Sequence, residues 1–230
     1  MFQNFSEKFH QNFIEQGRWK YLVDGLLITI RITLFAVILG IVIGFVIAII
    51  RSTHDKTGKL KILNVIAKIY LTIIRGTPAM VQLLIAYYVI FTSPNVSKVL
   101  VAILAFGINS GAYVAEIVRS GIMSIDRGQF EAGRSLGLNY FQTMKSIVIP
   151  QAFKNVLPAL SNEFIVLLKE TSICGFIGLQ DLTNGGDTIR SQTYEAFMPL
   201  IAVAVVYLIV VMILTALVSK LERRLRNSDH

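Results

Sequence analysis

The run ITLFAVILGIVIGFVIAII, residues 32–50, decides the fold. It is uncharged over 19 residues, and all but Thr33, Gly40 and Gly44 are apolar. A bilayer core about 30 Å thick is crossed by about 20 apolar residues in helix. A membrane span is therefore expected over about 26–50. Gly40 and Gly44 form a small-xxx-small pair, which lets another helix approach closely, and packing within the chain is its expected use.

Working outward, residues 76–97 are again uncharged. Thr77 and Pro78 read as an N-cap followed by proline at the first helical position, so a second span is expected over about 77–92. The stretch before it, residues 62–74, is apolar but too short to span and carries Lys68; an in-plane elbow helix is expected there. Further spans are expected over about 99–118, 156–169 (interrupted by Glu163) and 197–219. The fold class is all-α: a polytopic membrane protein of five transmembrane helices.

Composition agrees. Charged residues are 16% of the chain, against about a quarter in soluble domains, and the mean hydropathy is +0.63. The single Cys174 excludes an internal disulfide, and His10, His54 and His230 are too scattered for a metal site. The formal charge of +8 is read through the positive-inside rule, not as a nucleic-acid surface. Arg51, Lys56, Lys59 and Lys61, then Arg119, Arg127, Arg134 and Lys145, then Lys220, Arg223, Arg224 and Arg226 fall on one side of a five-span chain. The other side holds Lys8, Arg18 and Lys20, with Lys98 and Arg190. The expected topology is N-terminus outside and C-terminus cytoplasmic. Residues 1–24 are expected to be an amphipathic segment at the outer membrane surface, without a cleavable signal. Residues 25–219 form a single transmembrane domain, and 220–230 a basic cytoplasmic tail.

The loop after the third span, residues 119–150, is long for a connection, and long loops tend to be functional or disordered. Asp126 and Gln129 have capping-box spacing, with Ile125 and Phe130 as a hydrophobic staple. A short helix is expected from Asp126 through Glu131, Ala132 and Gly133, stopped by Gly137. Asn139 and Gln142 repeat the cap spacing for a second short helix. The result is a two-helix cytoplasmic segment over about 126–144 whose small residues let a partner's backbone approach. Outside, Asn184-Gly185-Gly186-Asp187 is a turn signal in a segment, 175–199, expected to cap a pathway.

At these residues the sequence resembles the permease (transmembrane) subunits of binding-protein-dependent ABC importers. That family carries Glu-Ala-Ala, three residues, Gly, nine residues, then Ile-x-Leu-Pro. Here Glu131-Ala132-Gly133, Gly137 and Ile147-Val148-Ile149-Pro150 stand at that spacing, with Gly133 for the usual Ala and Ile149 for the usual Leu. Arg75-Gly76-Thr77-Pro78 with Gln82, Gly111-Ala112-Tyr113 with Glu116 and Arg119, Pro150-Gln151-Ala152, 157–163 and Lys169-Glu170-Thr171-Ser172 resemble its polar amino acid branch (histidine, glutamine or arginine type). The likeness runs from Gly25 to the tail. It implies the type I importer permease fold in a bacterial plasma (inner) membrane. It also implies a second permease subunit (the same chain or a related paralogue), two ABC ATPase subunits docked on the loop helices, and an extracellular or periplasmic substrate-binding protein. This chain has no Gly-x-x-x-x-Gly-Lys-Ser/Thr loop. It is expected to be no enzyme and to hold no cofactor, with ATP and Mg bound by the partner ATPase. Asp126, Gln129, Glu131, Ala132, Gly133 and Gly137 are the expected coupling residues.

Ionisable and polar residues inside a membrane usually face a path or a partner. Asn109, Tyr113 and Glu116 fall on one helix face, and Asn162 and Glu163 lie in the fourth span. These five are the candidate substrate-pathway residues. Glu116, with Arg119 one turn on, is the one best explained by ion pairing. Glu163, with no cation within four residues on its own span, suits the ammonium group of a polar amino acid. Arg75 is expected to snorkel to the interface. The rival class is an ion-coupled secondary transporter, which usually shows an internal repeat; none is evident.

Overall fold

After a short α1 (Phe2–Phe9), the apolar run becomes the middle of α2 (Trp19–Thr57), which is 39 residues long and so roughly 58 Å from end to end. It stops at Gly58, whose φ of +66° places it in the left-handed region that glycine tolerates. A computed structural model describes residues 2–226, and no strand occurs among them. Met1 and residues 227–230, the end of the expected basic tail with His230, lie outside the described residues.

Beside α2 lies α5 (Lys98–Met123). Glycines on both helices make the contact possible. A Cβ on Gly40 would fall 2.9 Å from Ser110, and one on Gly44 would fall 2.4 Å from Val114. In return, Gly107 receives Leu39 and Gly111 receives Ile43. The Gly40/Gly44 pair is thus used within the chain, and Gly107/Gly111 supply the matching notches. The pairings climb together along both helices, so α2 and α5 run parallel. The chain between them has to return.

That return is broken. Helix α3 (Lys61–Gly76) and helix α4 (Ala79–Ile85, extended by a wider turn to Ile90) meet at a bend of 107°. The helix expected over about 77–92 is therefore Ala79–Ile90, only about 18 Å long. The expected cap is also corrected. Thr77 is extended and makes no N-cap bond, and Pro78 occupies the cap position. The Thr77 hydroxyl instead donates back to Ile73 O at 2.8 Å, closing the end of α3.

After α5 come α6 (Arg127–Ser135) and α7 (Tyr140–Thr143), then α8 (Ile149–Glu170), α9 (Leu182–Thr193) and α10 (Phe197–Arg226). Helix α8 runs antiparallel to α5: Asn155 bonds Ser124, Val156 fills the notch at Gly121, and Glu163 meets Ser110. Among the described residues, three helices, α2, α5 and α10, are long and apolar enough to cross a membrane, and the bent pair α3–α4 makes a fourth candidate. Helix α8 is long enough, but its Gln, Asn, Pro and charged residues leave it less apolar than that group.

The Asn184–Asp187 stretch is not a turn; it lies inside α9. Tertiary contact overrides the local signal here. A Cβ on Gly185 would lie 2.4 Å from the carbonyl oxygen of Tyr21, and one on Gly186 would lie 2.3 Å from Val203. The two glycines let α9 press against α2 and α10 at once. The amino-terminal segment packs there too. Asn12, fully buried, accepts from the Thr193 hydroxyl at 2.8 Å. Lys8 bonds Glu195 at 2.7 Å and holds its carboxyl below the usual range. The expected boundary at residue 24 falls within α2, because the helix already starts at Trp19.

Filling a notch in the α2–α5 seam overpacks it. Gly44→Leu is expected to cost about 1–3 kcal/mol, read as a lower thermal midpoint of the detergent-purified protein. Gly76→Ala, where no atom lies within 4 Å of the added Cβ, should leave the midpoint unchanged.

Candidate functional site

The break between α3 and α4 is held by one side chain. Gln82 Nε2 donates to Ile74 O at 2.8 Å, to Thr77 O at 3.1 Å and to Thr77 Oγ1 at 2.7 Å. The last carbonyls of a helix have no partner within it, and the Gln82 amide supplies one. Asn109 Nδ2 in turn donates to Gln82 Oε1 at 2.9 Å. Asn109 is 3% exposed. It anchors the corner to α5.

Beyond that corner the face of α5 opens into a recess of about 620 Å³, lined by Arg51, Lys68, Thr72, Arg75, Tyr113 and Glu116 among others. The Arg75 guanidinium lies 5.7 Å from the centre of the Tyr113 ring, a cation–π distance. Tyr113 stands about 22 Å along α5 from Lys98, so Arg75 meets α5 near the middle of that helix. The 107° bend leaves Arg75 exposed on the wall of the recess, against the Tyr113 ring. Glu116 pairs with Arg51 at 2.5 Å, and Arg119 turns to Asp55 at 3.4 Å. The cation beside Glu116 is thus on α2, not one turn along its own helix. With Glu116 neutralised, Lys68 and Arg75 leave the recess two positive charges.

Ser110 turns to the other neighbour. Its hydroxyl donates to Glu163 on α8 at 3.0 Å. Glu163 is half-buried, and no cation pairs with it among the described residues. Asn162 beside it is exposed. The five sequence candidates therefore divide. Tyr113 and Glu116 share the recess, Asn109 is tied to the helix break, and Asn162 and Glu163 sit on α8.

The loop after α5 is a hairpin closed by its own backbone. Asp126 caps α6, but its carboxylate accepts from Gly128 N at 2.6 Å, and no reciprocal bond from Gln129 forms. Gln129 is engaged instead by the Gln151 amide at 3.2 Å, so the expected capping box there is corrected to a simple cap. Phe130 packs on the cluster that holds Ile125, as the staple required. Gly137 has φ +77°. Leu138 N donates to Gly133 O and Gly137 N to Arg134 O, the two bonds of a Schellman stop. Asn139 and Gln142 form the full capping box, both bonds at 2.9 Å. Gly133 is buried against Thr143, its Cβ position 2.6 Å from the Thr143 methyl. Its smallness serves closure of the hairpin. Nor is the second helix separate. A wider turn, Met144–Val148, joins α7 to α8 without a break.

Residues 36–227 match the family of binding-protein-dependent transport system inner membrane components. The chain belongs to this family. The permease is 38% identical over 207 residues to a putative glutamine transport system permease protein, GlnP, of Rickettsia typhi, covering 89% of this chain and 93% of that one. It is 36% identical over 211 residues to the arginine transport system permease protein ArtQ of Bacillus subtilis, covering 91% and 94%. Among solved structures, the permease superposes on an amino acid ABC transporter with histidines at a TM-score of 0.84. The identity there is 41%, over 92% of this chain and 98% of that chain. The all-α fold is that of type I ABC importer permeases, and the chain is a multi-pass membrane protein.

Two residues of the permease site lay beyond sequence reading. Arg51 was visible only as a basic residue after the apolar run, and its pairing with Glu116, 65 positions away, needs the α2–α5 register. Matching the two glycine pairs, 40/44 and 107/111, would have supplied that register. Arg75 was visible as a charge beside Gly76, but its direction depends on the bend. Removing the corner amide tests the geometry. Gln82→Ala leaves Ile74 O and Asn109 without their partner, at an expected cost of about 1–3 kcal/mol. Limited proteolysis should then cut faster between Gly76 and Ala79.

Proposed function

We propose that this permease is the membrane subunit of an ATP-driven importer of polar amino acids in a bacterial plasma membrane. It works by alternating access with a second permease subunit, two Mg-ATP-binding ABC ATPase subunits and an external binding protein. One observation carries the reading: a self-capped hairpin continues without a break into the helix that bears Glu163. From Tyr140 to Glu163 the rod is about 35 Å long. A push on the hairpin by a closing ATPase is therefore delivered to the bundle as movement of a rigid lever. Asp126, Gln129, Glu131, Ala132, Gly133 and Gly137 shape or present the hairpin.

The same geometry supports five traverses with the C-terminus on the ATPase side. Helices α2 and α5 are parallel, so α3–α4 is the return, and α8 runs back along α5. The hairpin then shares the side on which Arg51, Lys59, Lys61 and Lys145 lie, as the positive-inside rule requires. Relatives named for glutamine and arginine transport support a polar amino acid as cargo.

A zwitterion needs an anion and a cation. Glu163, with Asn162 beside it, suits an ammonium group, and Arg75 over Tyr113 suits a carboxylate in the recess, which Glu163 does not line. Glu116, held by Arg51, and Asn109, held by Gln82, shape the wall.

Glu163→Gln is expected to lower uptake in proteoliposomes or relax selectivity, while assembly with the ATPase is retained. Unchanged uptake together with unchanged substrate-stimulated ATPase activity would remove Glu163 from the pathway. Charge reversal at Glu131 is expected to uncouple ATP hydrolysis from uptake. It is a cleaner probe than Gly137, where any side chain also strains the left-handed stop. Uptake should cease when ATP is withdrawn and survive an uncoupler; the opposite result would favour ion-coupled transport.

A further inference from the structure

Among the described residues Asp181 is the one acidic side chain that is buried, at 0% exposure. It belongs neither to the recess nor to the hairpin. It sits where four elements meet. A Cβ on Gly25 of α2 would fall 2.6 Å from the Asp181 carbonyl oxygen, and one on Gly175, in the short helical turn Thr171–Ile177, would fall 3.7 Å from its Oδ1. Asp181 caps α9, its Oδ2 accepting from Thr183 N at 3.0 Å. Leu182 N beside it donates to the Thr29 hydroxyl on α2 at 3.2 Å, and the Thr183 hydroxyl lies 3.4 Å from that of Tyr207 on α10.

Oδ1 makes no hydrogen bond, and no cation pairs with the carboxyl among the described residues. The elements packed around it offer uncharged groups: Thr29 from α2, the buried Cys174 thiol from the turn, Tyr207 from α10. Asp24 and Arg31 on α2 are exposed, and Lys169 and Glu170 precede the turn on α8. Asp187 pairs with Arg190 along α9, Lys8 with Glu195, and Arg18 with Glu15. A carboxylate buried without a cation is unfavourable, and taking up a proton removes that cost. Burial pushes the Asp181 carboxyl up to about 6, against the pull of the α9 amides at Thr183 and Asn184.

We propose that the Asp181 carboxyl is a proton-binding site that sets how tightly α9 is clamped between α2 and α10. The proton resides on Oδ1, and Oδ2 still accepts from Thr183 N, so the cap survives protonation. When the proton leaves, the charge is relieved by letting water in, and α9 parts from Gly25 and Tyr207. Because the closed state holds its proton more firmly than an open one, the stabilisation is complete below the ordinary carboxylate range and is lost as pH rises through about 6. The site requires neither the cargo nor ATPase docking, and its test does not read transport.

Hydrogen exchange of the assembled transporter in lipid nanodiscs, corrected for the chemical dependence of exchange on pH, reads the opening of α9. His10, the imidazole of the amino-terminal segment that packs on α9, is replaced by Gln in every sample, because imidazoles change charge in this range. With the closed-state value at about 6 and the open-state value at 3.8, residues 182–193 are expected to open about tenfold more often at pH 7.5 than at pH 5. Residues 98–110 of α5 should not change. Asp181→Asn keeps the helix cap without a titrating group, and should hold α9 closed at both pH values; Asp181→Ser, also a cap, should be equally insensitive to pH. The infrared difference between the two pH values should contain a protonated-carboxyl band, lost at the higher pH, that both variants lack. Equal opening at the two pH values, greater opening in acid, a pH dependence that survives in either variant, or no such band in the unsubstituted Asp181 protein would each overturn the proposal.

Discussion

Close approach of two helix backbones is the constraint on which the rest of this structure depends. In a bilayer, apolar side chains gain little by leaving lipid for one another, so packing has to come from contact at short range. Helices α2 and α5 obtain it by exchanging notches, Gly40 and Gly44 on one side and Gly107 and Gly111 on the other. Because the seam is parallel, it also fixes what lies at its ends. Arg51 arrives at Glu116 and Asp55 at Arg119. The chain between the two helices has no option but to come back.

How it comes back creates the site. A straight return helix would present a smooth apolar wall. The bend after Gly76 instead leaves helix-end carbonyls without a partner in their own helix, where they are costly unless bonded. Gln82 and Asn109 meet that need, and the bend carries Arg75 to the ring of Tyr113. The polar recess is thus a consequence of backbone geometry. Its charges are tolerated because each has a partner or faces open space that a polar solute can occupy.

The hairpin shows the complementary principle. Its caps, the left-handed Gly137 and the Asn139–Gln142 box, are all local. They make a small body stiff by itself, with Gly133 drawn against Thr143. It is joined to α8 without a break, so hairpin and α8 form one continuous helical stretch.

Local signals and span-scale hydropathy were legible in the sequence because each is written in a few consecutive residues. The apolar runs, the Asp126 cap, the Gly137 stop and the Asn139 box needed no distant partner. Signals that can be outbid by contact were misread. Asn184–Asp187 looked like a turn, yet Gly185 and Gly186 are the clearance for α2 and α10 inside a helix. Thr77 looked like a cap, yet its hydroxyl closes the preceding helix. The site was legible only as a set of residue types: the candidates Asn109, Tyr113, Glu116, Asn162 and Glu163 could be named, but not sorted. Tertiary structure alone decided that Arg51 neutralises Glu116, that Asn109 belongs to the corner, and that Arg75 lies over Tyr113. Those pairings join residues 27 to 65 positions apart, and their distances are set by helix register and a 107° bend, neither of which any local stretch of sequence encodes.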